Sequence, residues 1–286
     1  MLNILVTGGG GQLSLAIAEA AENAADNYTF LSHAELDICD HKAVESMLRS
    51  KKIDVVVNCA AYTNVERAEE DMDVYRINRD AVAGLSTLCK RYKTTLLHIS
   101  TDYVFGGDTT RNTPYLEDDP TAPINNYGLS KAEGEEAVVA NGGIVIRTSW
   151  LYSPWGNNFV RTIIGLATTE PTLKVVDDQR GTPTSALTLA RMIVGLIERR
   201  QILHMSGIYH YTDRGEATWY EFACEIARIC DASCTITACS STDRPTRAKR
   251  PAYSVLSKRR ICTFDEIILT DWKVALAECI TRIKQN

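Results

Sequence analysis

Tyr127 and Lys131 stand four residues apart in "NNYGLSKAEGEE" (125–136), a stretch that predicts a helix over 127–140. An i,i+4 pair shares one helix face. An ammonium beside a phenol favours phenolate and lowers its pKa. Tyrosine then becomes usable as a proton donor or acceptor near neutrality. The same spacing also arises by chance in surface helices, where it is solvated decoration. It gains force from "HISTDYVFGG" (98–107), in which Thr101 closes an apolar run and can bond a substrate oxygen. Together the three side chains suit an acid acting on a carbonyl or an alcohol.

Groups so far apart in sequence need a scaffold that brings them together. Short β-branched runs alternate with longer amphipathic ones through the first half. "NILVT" (3–7), "YTFLS" (28–32), "DVVVNC" (54–59), "TTLLHIS" (94–100) and "GIVIRTS" (143–149) read as strands, with helices over 11–25 and 66–92. The third run is continuously apolar, as a strand buried on both faces should be. The alternation predicts an α/β fold: a doubly wound parallel sheet with right-handed crossovers. Its strands' C-terminal ends border the ligand crevice, where Thr101 and Tyr127 would meet.

The pattern loosens after Trp150. Helices are expected near 158–169, 185–200, 218–231 and 271–284, with strands near 173–176 and 207–212. This predicts a cofactor-binding domain over 1–150, to which 180–205 returns, and a smaller C-terminal lobe over 151–286 that binds substrate. "SSTDRPTRAKRPAYS" (240–254) reads as a polar, basic loop.

"VTGGGGQLS" follows the first strand and opens a helix, with Gly8, Gly11 and Ser14 at the spacing G-x-x-G-x-x-small. Glycines let the backbone turn tightly and approach a pyrophosphate, which sits on the helix N-terminus. A plain glycine-rich turn would look similar in isolation. Its place in a βαβ series makes it a Rossmann-type dinucleotide site. The second strand ends in Ser32-His33, with no acid before Glu35 to bond a ribose 2′-hydroxyl. This favours NADPH over NADH and leaves dual use open.

The chain has 286 residues, a net charge of −5 and 45% hydrophobic residues. Such a surface would not attract nucleic acid or an anionic membrane non-specifically. The apolar runs are strand-length, so no membrane span is expected, and the N-terminus lacks the basic region and cleavage site of a signal peptide. A cytoplasmic protein is the expectation. Four of the nine cysteines, Cys224, Cys230, Cys234 and Cys239, lack CxxC pairing, which favours reduced thiols over a zinc site.

"TGGGGQLS", "NCAAYTNVERAEED", "STDYVFGG", "YGLSK", "RTSWLY" and "DDQRGTPT" together resemble the extended short-chain dehydrogenase/reductases, and within them the dTDP-4-dehydrorhamnose reductase family. The resemblance runs from residue 1 to at least 190, and "RPAYSVLS" (250–257) extends it. It implies reduction of a dTDP-linked keto sugar by NADPH, with Tyr127 as acid, Lys131 as its partner and Thr101 polarising the C4 carbonyl; Tyr127 and Lys131 would also contact the cofactor, the lysine through a ribose. Gly8, Gly11, Gln12 and Leu13 would line the pyrophosphate. Asp37 and Ile38 would flank adenine, and Ala60, Ala61 and Tyr62 would pass along the cofactor. Asp102 and Trp150 would hold substrate, though a turn role for the first and core packing for the second stand equally open. Ser14 departs from the usual third glycine. Related dehydratases carry Thr-Asp-Glu where this chain has Thr101-Asp102-Tyr103, which argues against elimination.

A diphosphate needs cations. Arg161, Arg180, Arg247 and Arg250 are the candidates, Arg250 first because the resemblance covers it, although for any one of them a solvated surface place is the better expectation. "DQRGTPT" (178–184) is either a structural turn or a substrate contact. Some reductases of this type bind Mg²⁺ at a dimer interface through two glutamates; carried over, those positions fall at about Ala16 and Leu187, which cannot ligate a hard cation. Activity without Mg²⁺ is therefore expected, from a monomer or a homodimer. Two rival readings remain: another nucleotide-sugar ketoreductase or epimerase, and a non-catalytic regulatory subunit of the same fold.

Overall fold

The structure, a computed structural model, describes residues 1–264 and 266–285. Strands β1 (Asn3–Thr7), β2 (Asn27–Leu31), β3 (Val55–Asn58), β4 (Thr95–Thr101), β5 (Ile144–Thr148) and β6 (Gly207–His210) form one sheet in the order β6-β5-β4-β3-β1-β2. Every adjacent pair is parallel. The chain therefore reverses its winding direction between β1 and β3, and their C-terminal ends open a crevice there.

Alternation along the strands explains the two-faced burial. Ile4, Val6, Val55, Val57, Ile144 and Ile146 pack on one face with helices α1 (Gln12–Ala20) and α5 (Ala186–Glu198). Leu5, Val56, Leu96 and Val145 pack on the other with α2 (His41–Lys51) and α3 (Val82–Tyr92). Helix α4 (Asn126–Ala140) starts where the Asn125 side chain accepts from the Gly128 amide at 2.7 Å. Glycines let this helix sit unusually close to its neighbours. A Cβ on Gly128 would lie 2.1 Å from the Tyr103 carbonyl oxygen, and one on Gly134 2.2 Å from that of Asn78.

A second core gathers Tyr152, Phe222, Trp272 and Leu276, from the segments that follow β5. It includes helices Phe159–Thr169, Trp219–Cys230 and Trp272–Gln285, beside a parallel pair formed by Thr172–Val176 and Thr235–Cys239.

Several elements differ from the sequence reading. The first helix stops at Ala20, because turns between Glu19 and Ala24 replace its hydrogen bonds. The helix expected over 66–92 begins only at Asp73, whose amide donates to the Asp71 carboxylate, and passes through a π-helical turn at Arg76–Ala81. Helix α2 was not anticipated; Asp40 caps it and only Val44 and Leu48 are buried. The strand Thr235–Cys239 was not anticipated either, and β6 joins the main sheet as an edge strand beside β5. Ala16 and Leu187 both lie in the main core, so neither position faces a surface at which an interface metal could sit. All nine cysteines are free thiols, and among the described residues no three acidic, His or Cys side chains converge as a metal site. No described helix is long and apolar enough to cross a membrane.

Candidate active site

A cavity of about 780 Å³ opens at the C-terminal ends of β1, β3, β4 and β5. The glycine turn forms one wall. Gly8 takes a left-handed backbone at φ +72°, and a Cβ there would lie 2.8 Å from the Ala60 amide nitrogen. Gly11 caps α1 without any side-chain hydrogen bond, so the first turn of that helix keeps N–H groups for a ligand. Leu13 lines the same wall. Gln12 does too, but its side-chain oxygen already accepts from Ser153 and Asn158, tying the turn to the second core.

His33, Leu36, Asp37 and Ile38 line one end of the cavity, and Ala60 and Ala61 line its middle. Tyr62 is absent from this lining. Its hydroxyl donates to Asp71 at 3.0 Å and its amide to Asn78, so both polar groups are engaged within the protein. Ser32 also turns elsewhere. Its amide and hydroxyl both donate to the Glu35 carboxylate, at 2.8 and 2.6 Å, so an acid does cap the end of β2.

Thr101, Tyr127 and Lys131 come together at the other end. The Tyr127 ring packs edge-on to Tyr103 at 5.9 Å between centroids. Burial pushes the Tyr127 phenol up to about 12, opposed by the Thr101 side chain. The expected lowering by Lys131 is not found. The lysine donates to the Ile99 carbonyl at 2.6 Å and meets His98 Nε2 at 3.1 Å, while burial lowers it to about 8. Burial is the dominant influence on each group, and the phenol stays protonated at neutral pH. Two further hydroxyls in the lining, those of Ser100 and Thr148, are buried without a partner.

Asp102 lines the cavity but is only 1% exposed. Its carboxylate accepts from Ser254 at 2.6 Å and from Thr101 at 3.2 Å, linking β4 to the 250–257 segment. Burial pushes it up to about 7. Trp150 sits between the cavity and the second core. It lines the cavity and stacks on Trp219, 3.6 Å between centroids and 7° from parallel. Its backbone is left-handed at φ 48°, and its indole lies where a Cβ on Gly181 would come within 2.6 Å.

The expected arginines lie outside the cavity. Arg250 pairs with Glu66 at 3.0 Å, Arg247 with Glu70, and Arg180 with Glu221 at 3.6 Å, while Arg161 donates to the Pro154 carbonyl. Each meets an acceptor through one terminal nitrogen, though the buried Nε of Arg250 has none, and none of the four lines the cavity. Residues 178–184 are absent from the lining as well, and Ser149 donates to the Thr182 carbonyl beneath Trp150, which favours the turn reading. Lys131 is the one Lys or Arg in the lining among the described residues.

The sequence reading missed His98, Asn58 and Trp219. A histidine inside the apolar run "TLLHIST" was the available signal, since a buried imidazole requires polar partners.

Comparison with known proteins agrees with this architecture. Residues 2–285 match the family described as RmlD substrate binding domain. The chain is 36% identical to a dTDP-4-dehydrorhamnose reductase of Burkholderia thailandensis, over 98% of each chain. It is 39% identical to a probable dTDP-4,6-dihydroxy-2-methyloxan-3-one 4-ketoreductase of Streptomyces antibioticus, over 98% of this chain and 95% of the relative. Among solved structures, dTDP-4-dehydrorhamnose reductase of Bacillus anthracis in complex with NADP superposes with a TM-score of 0.90 at 32% identity, covering 98% of this chain and 99% of the other. With a matching family over nearly its whole length and a glycine turn, threonine and tyrosine around one cavity, the chain belongs to the RmlD substrate binding domain family.

Proposed function

We propose that the protein is a cytoplasmic NADPH-dependent reductase that converts the C4 ketone of dTDP-4-dehydro-β-L-rhamnose to the alcohol of dTDP-β-L-rhamnose. The observation that carries this reading is the meeting of Thr101 and a protonated Tyr127 in a cavity whose far wall is a glycine turn. The uncapped α1 terminus and the close approach of Gly8 to Ala60 fit a dinucleotide pyrophosphate. A bound nicotinamide dinucleotide would supply the hydride. Tyr127 gives its phenolic proton to the developing alkoxide, and Thr101 turns its hydroxyl from Asp102 to steady the same oxygen. Lys131, anchored on the Ile99 carbonyl, holds a cation beneath that proton transfer. The product is the alcohol, so hydride and proton balance. Tyr103, where a dehydratase base would stand, is a buried phenol pushed up by burial and offers no carboxylate for elimination.

NADPH is the proposed cofactor because the Bacillus anthracis relative carries NADP. The test is product analysis after incubation with NADPH and the dTDP-linked keto sugar, against UDP- and GDP-linked keto sugars. Preference for another keto sugar would favour a different nucleotide-sugar ketoreductase, a reading that the Streptomyces antibioticus relative keeps open. Cofactor binding without any turnover would favour a regulatory subunit.

A further inference from the structure

A chain of buried polar groups runs under the site from β1 to α4. The Thr7 hydroxyl donates to Asn58 Oδ1 at 2.6 Å. Asn58 Nδ2 lies 2.9 Å from His98 Nδ1, and His98 Nε2 lies 3.1 Å from Lys131 Nζ. All four residues are at most 2% exposed. Groups buried this deeply must match donor to acceptor.

That requirement has a chemical consequence. With the Asn58 amide nitrogen facing the ring, Nδ1 accepts, and a neutral imidazole then carries its proton on Nε2. An N–H facing Lys131 cannot bond an ammonium, which has only donors, but it can donate to an amine. If the Asn58 amide turns over, Nδ1–H donates to Oδ1, Nε2 becomes the acceptor and the ammonium fits. The Thr7 hydroxyl serves either orientation, since it both donates and accepts. Burial and the nearby lysine hold the imidazole well below its usual range, so the ring itself stays neutral.

We propose that His98 is a positioning residue whose tautomer, set jointly with the Asn58 amide, is coupled to whether Lys131 stands as amine or ammonium. The pair gives the buried lysine a matched partner in both charge states. This coupling rests on the reading of Tyr127 and Lys131 as a proton-transfer pair. The other ionisable groups around the lysine are Glu135 and Tyr127 on its own helix, Cys59 at the end of β3 and Asp102 after β4. Glu135 is held by Arg147, and burial keeps the Cys59 thiol protonated up to about 12. Neither changes charge where the lysine does, and Asp102, pushed up to about 7 by burial, is common to the wild type and both variants below.

Two variants should act in opposite directions. Asn58→Asp offers only acceptors, so it fixes the proton on Nδ1 and favours the ammonium. The basic limb of the kcat/KM profile should move up by about one pH unit. His98→Phe removes the acceptor that the ammonium needs, and the limb should move down by a similar amount. Loss of packing alone would lower the rate without separating the two limbs. A second measurement uses no substrate: the imidazole nitrogen signals of His98 in the ¹⁵N-labelled wild type, followed through the titration of Lys131. Exchange of the proton from Nδ1 to Nε2 as the lysine loses its charge is the expected result. Ring signals that stay constant through that titration, or limbs that remain at the wild-type position in both variants, would overturn the proposal. The tautomer measurement stands even if no keto sugar is turned over.

Discussion

Glu135 and Arg147 form a buried ion pair that fastens the helix of Tyr127 and Lys131 to the sheet. Arg147 Nη2 lies 2.6 Å from Glu135 Oε2, and Nε lies 3.0 Å from each carboxylate oxygen. The two side chains are 2% and 3% exposed. Tyr127, Lys131 and Glu135 follow one another at intervals of four, so one face of α4 carries both site residues and the anchor. The guanidinium also sits 5.0 Å over the Phe105 ring.

Removing one partner strands the other charge in a dry interior. Glu135→Ala should therefore destabilise the fold by ~3–5 kcal/mol. The double variant Glu135→Leu with Arg147→Met should recover most of that loss, because neither charge then remains to be desolvated. Urea unfolding of the three proteins is the check. A loss below about 1 kcal/mol in the single variant would mean that the pair behaves as a solvent-screened one.

Tyr127→Phe removes one hydroxyl and little volume. If the phenol is the proton donor, kcat should fall by ~10²–10⁴-fold. Cofactor affinity, read by quenching of tryptophan fluorescence, should hardly change. Because burial pushes the phenol up to about 12, its ionisation should leave no break in the wild-type rate near neutral pH. Near-native turnover in the variant would end the assignment of Tyr127.

Glu35 now carries the question of cofactor choice. Its carboxylate bonds Ser32 at the end of β2, where an acid could meet a ribose hydroxyl or repel a 2′-phosphate. Glu35→Gln keeps an acceptor for Ser32 and removes the charge. The ratio of kcat/KM with NADPH to that with NADH should rise several-fold. An unchanged ratio would mean that this carboxylate does not read the ribose.

The alternating scaffold was legible because β1, β3 and β5 are apolar on both faces, a pattern local to each run. Thr101 and Tyr127 were legible because they sit at element ends beside the crevice. Helix α2 was missed because most of it faces solvent, leaving two buried side chains to mark its period. The place of β6 was hidden since its partner, β5, lies some sixty residues earlier. The places of Tyr62 and Arg250 outside the cavity lining were hidden for a shared reason. Local motif position says nothing about Asp71 and Glu66, the partners that claim their polar ends. Asn58 and His98 interact across neighbouring strands, which no single stretch of sequence displays.

Asp102 should make stability depend on pH in an unusual sense. Its carboxyl titrates at 3.8 when exposed and is pushed up to about 7 by burial, against the bonds from Ser254 and Thr101. Between those values the folded protein holds a proton that the unfolded chain has lost. Stability from this group is therefore present at low pH and declines as pH rises toward 7. Above 7 the folded carboxylate ionises and the penalty levels off. Asp102→Asn cannot ionise and keeps the side chain's shape. Relative to wild type, the variant should gain on the order of 3–4 kcal/mol between about pH 4 and about pH 8, on top of a constant offset for the exchanged hydrogen bond. Asp213, also pushed up to about 7 by burial, is common to both proteins and cancels in the difference. The check is the unfolding free energy of both proteins at several pH values in that interval. A difference that does not change with pH would show that the Asp102 carboxylate remains ionised in the folded protein throughout.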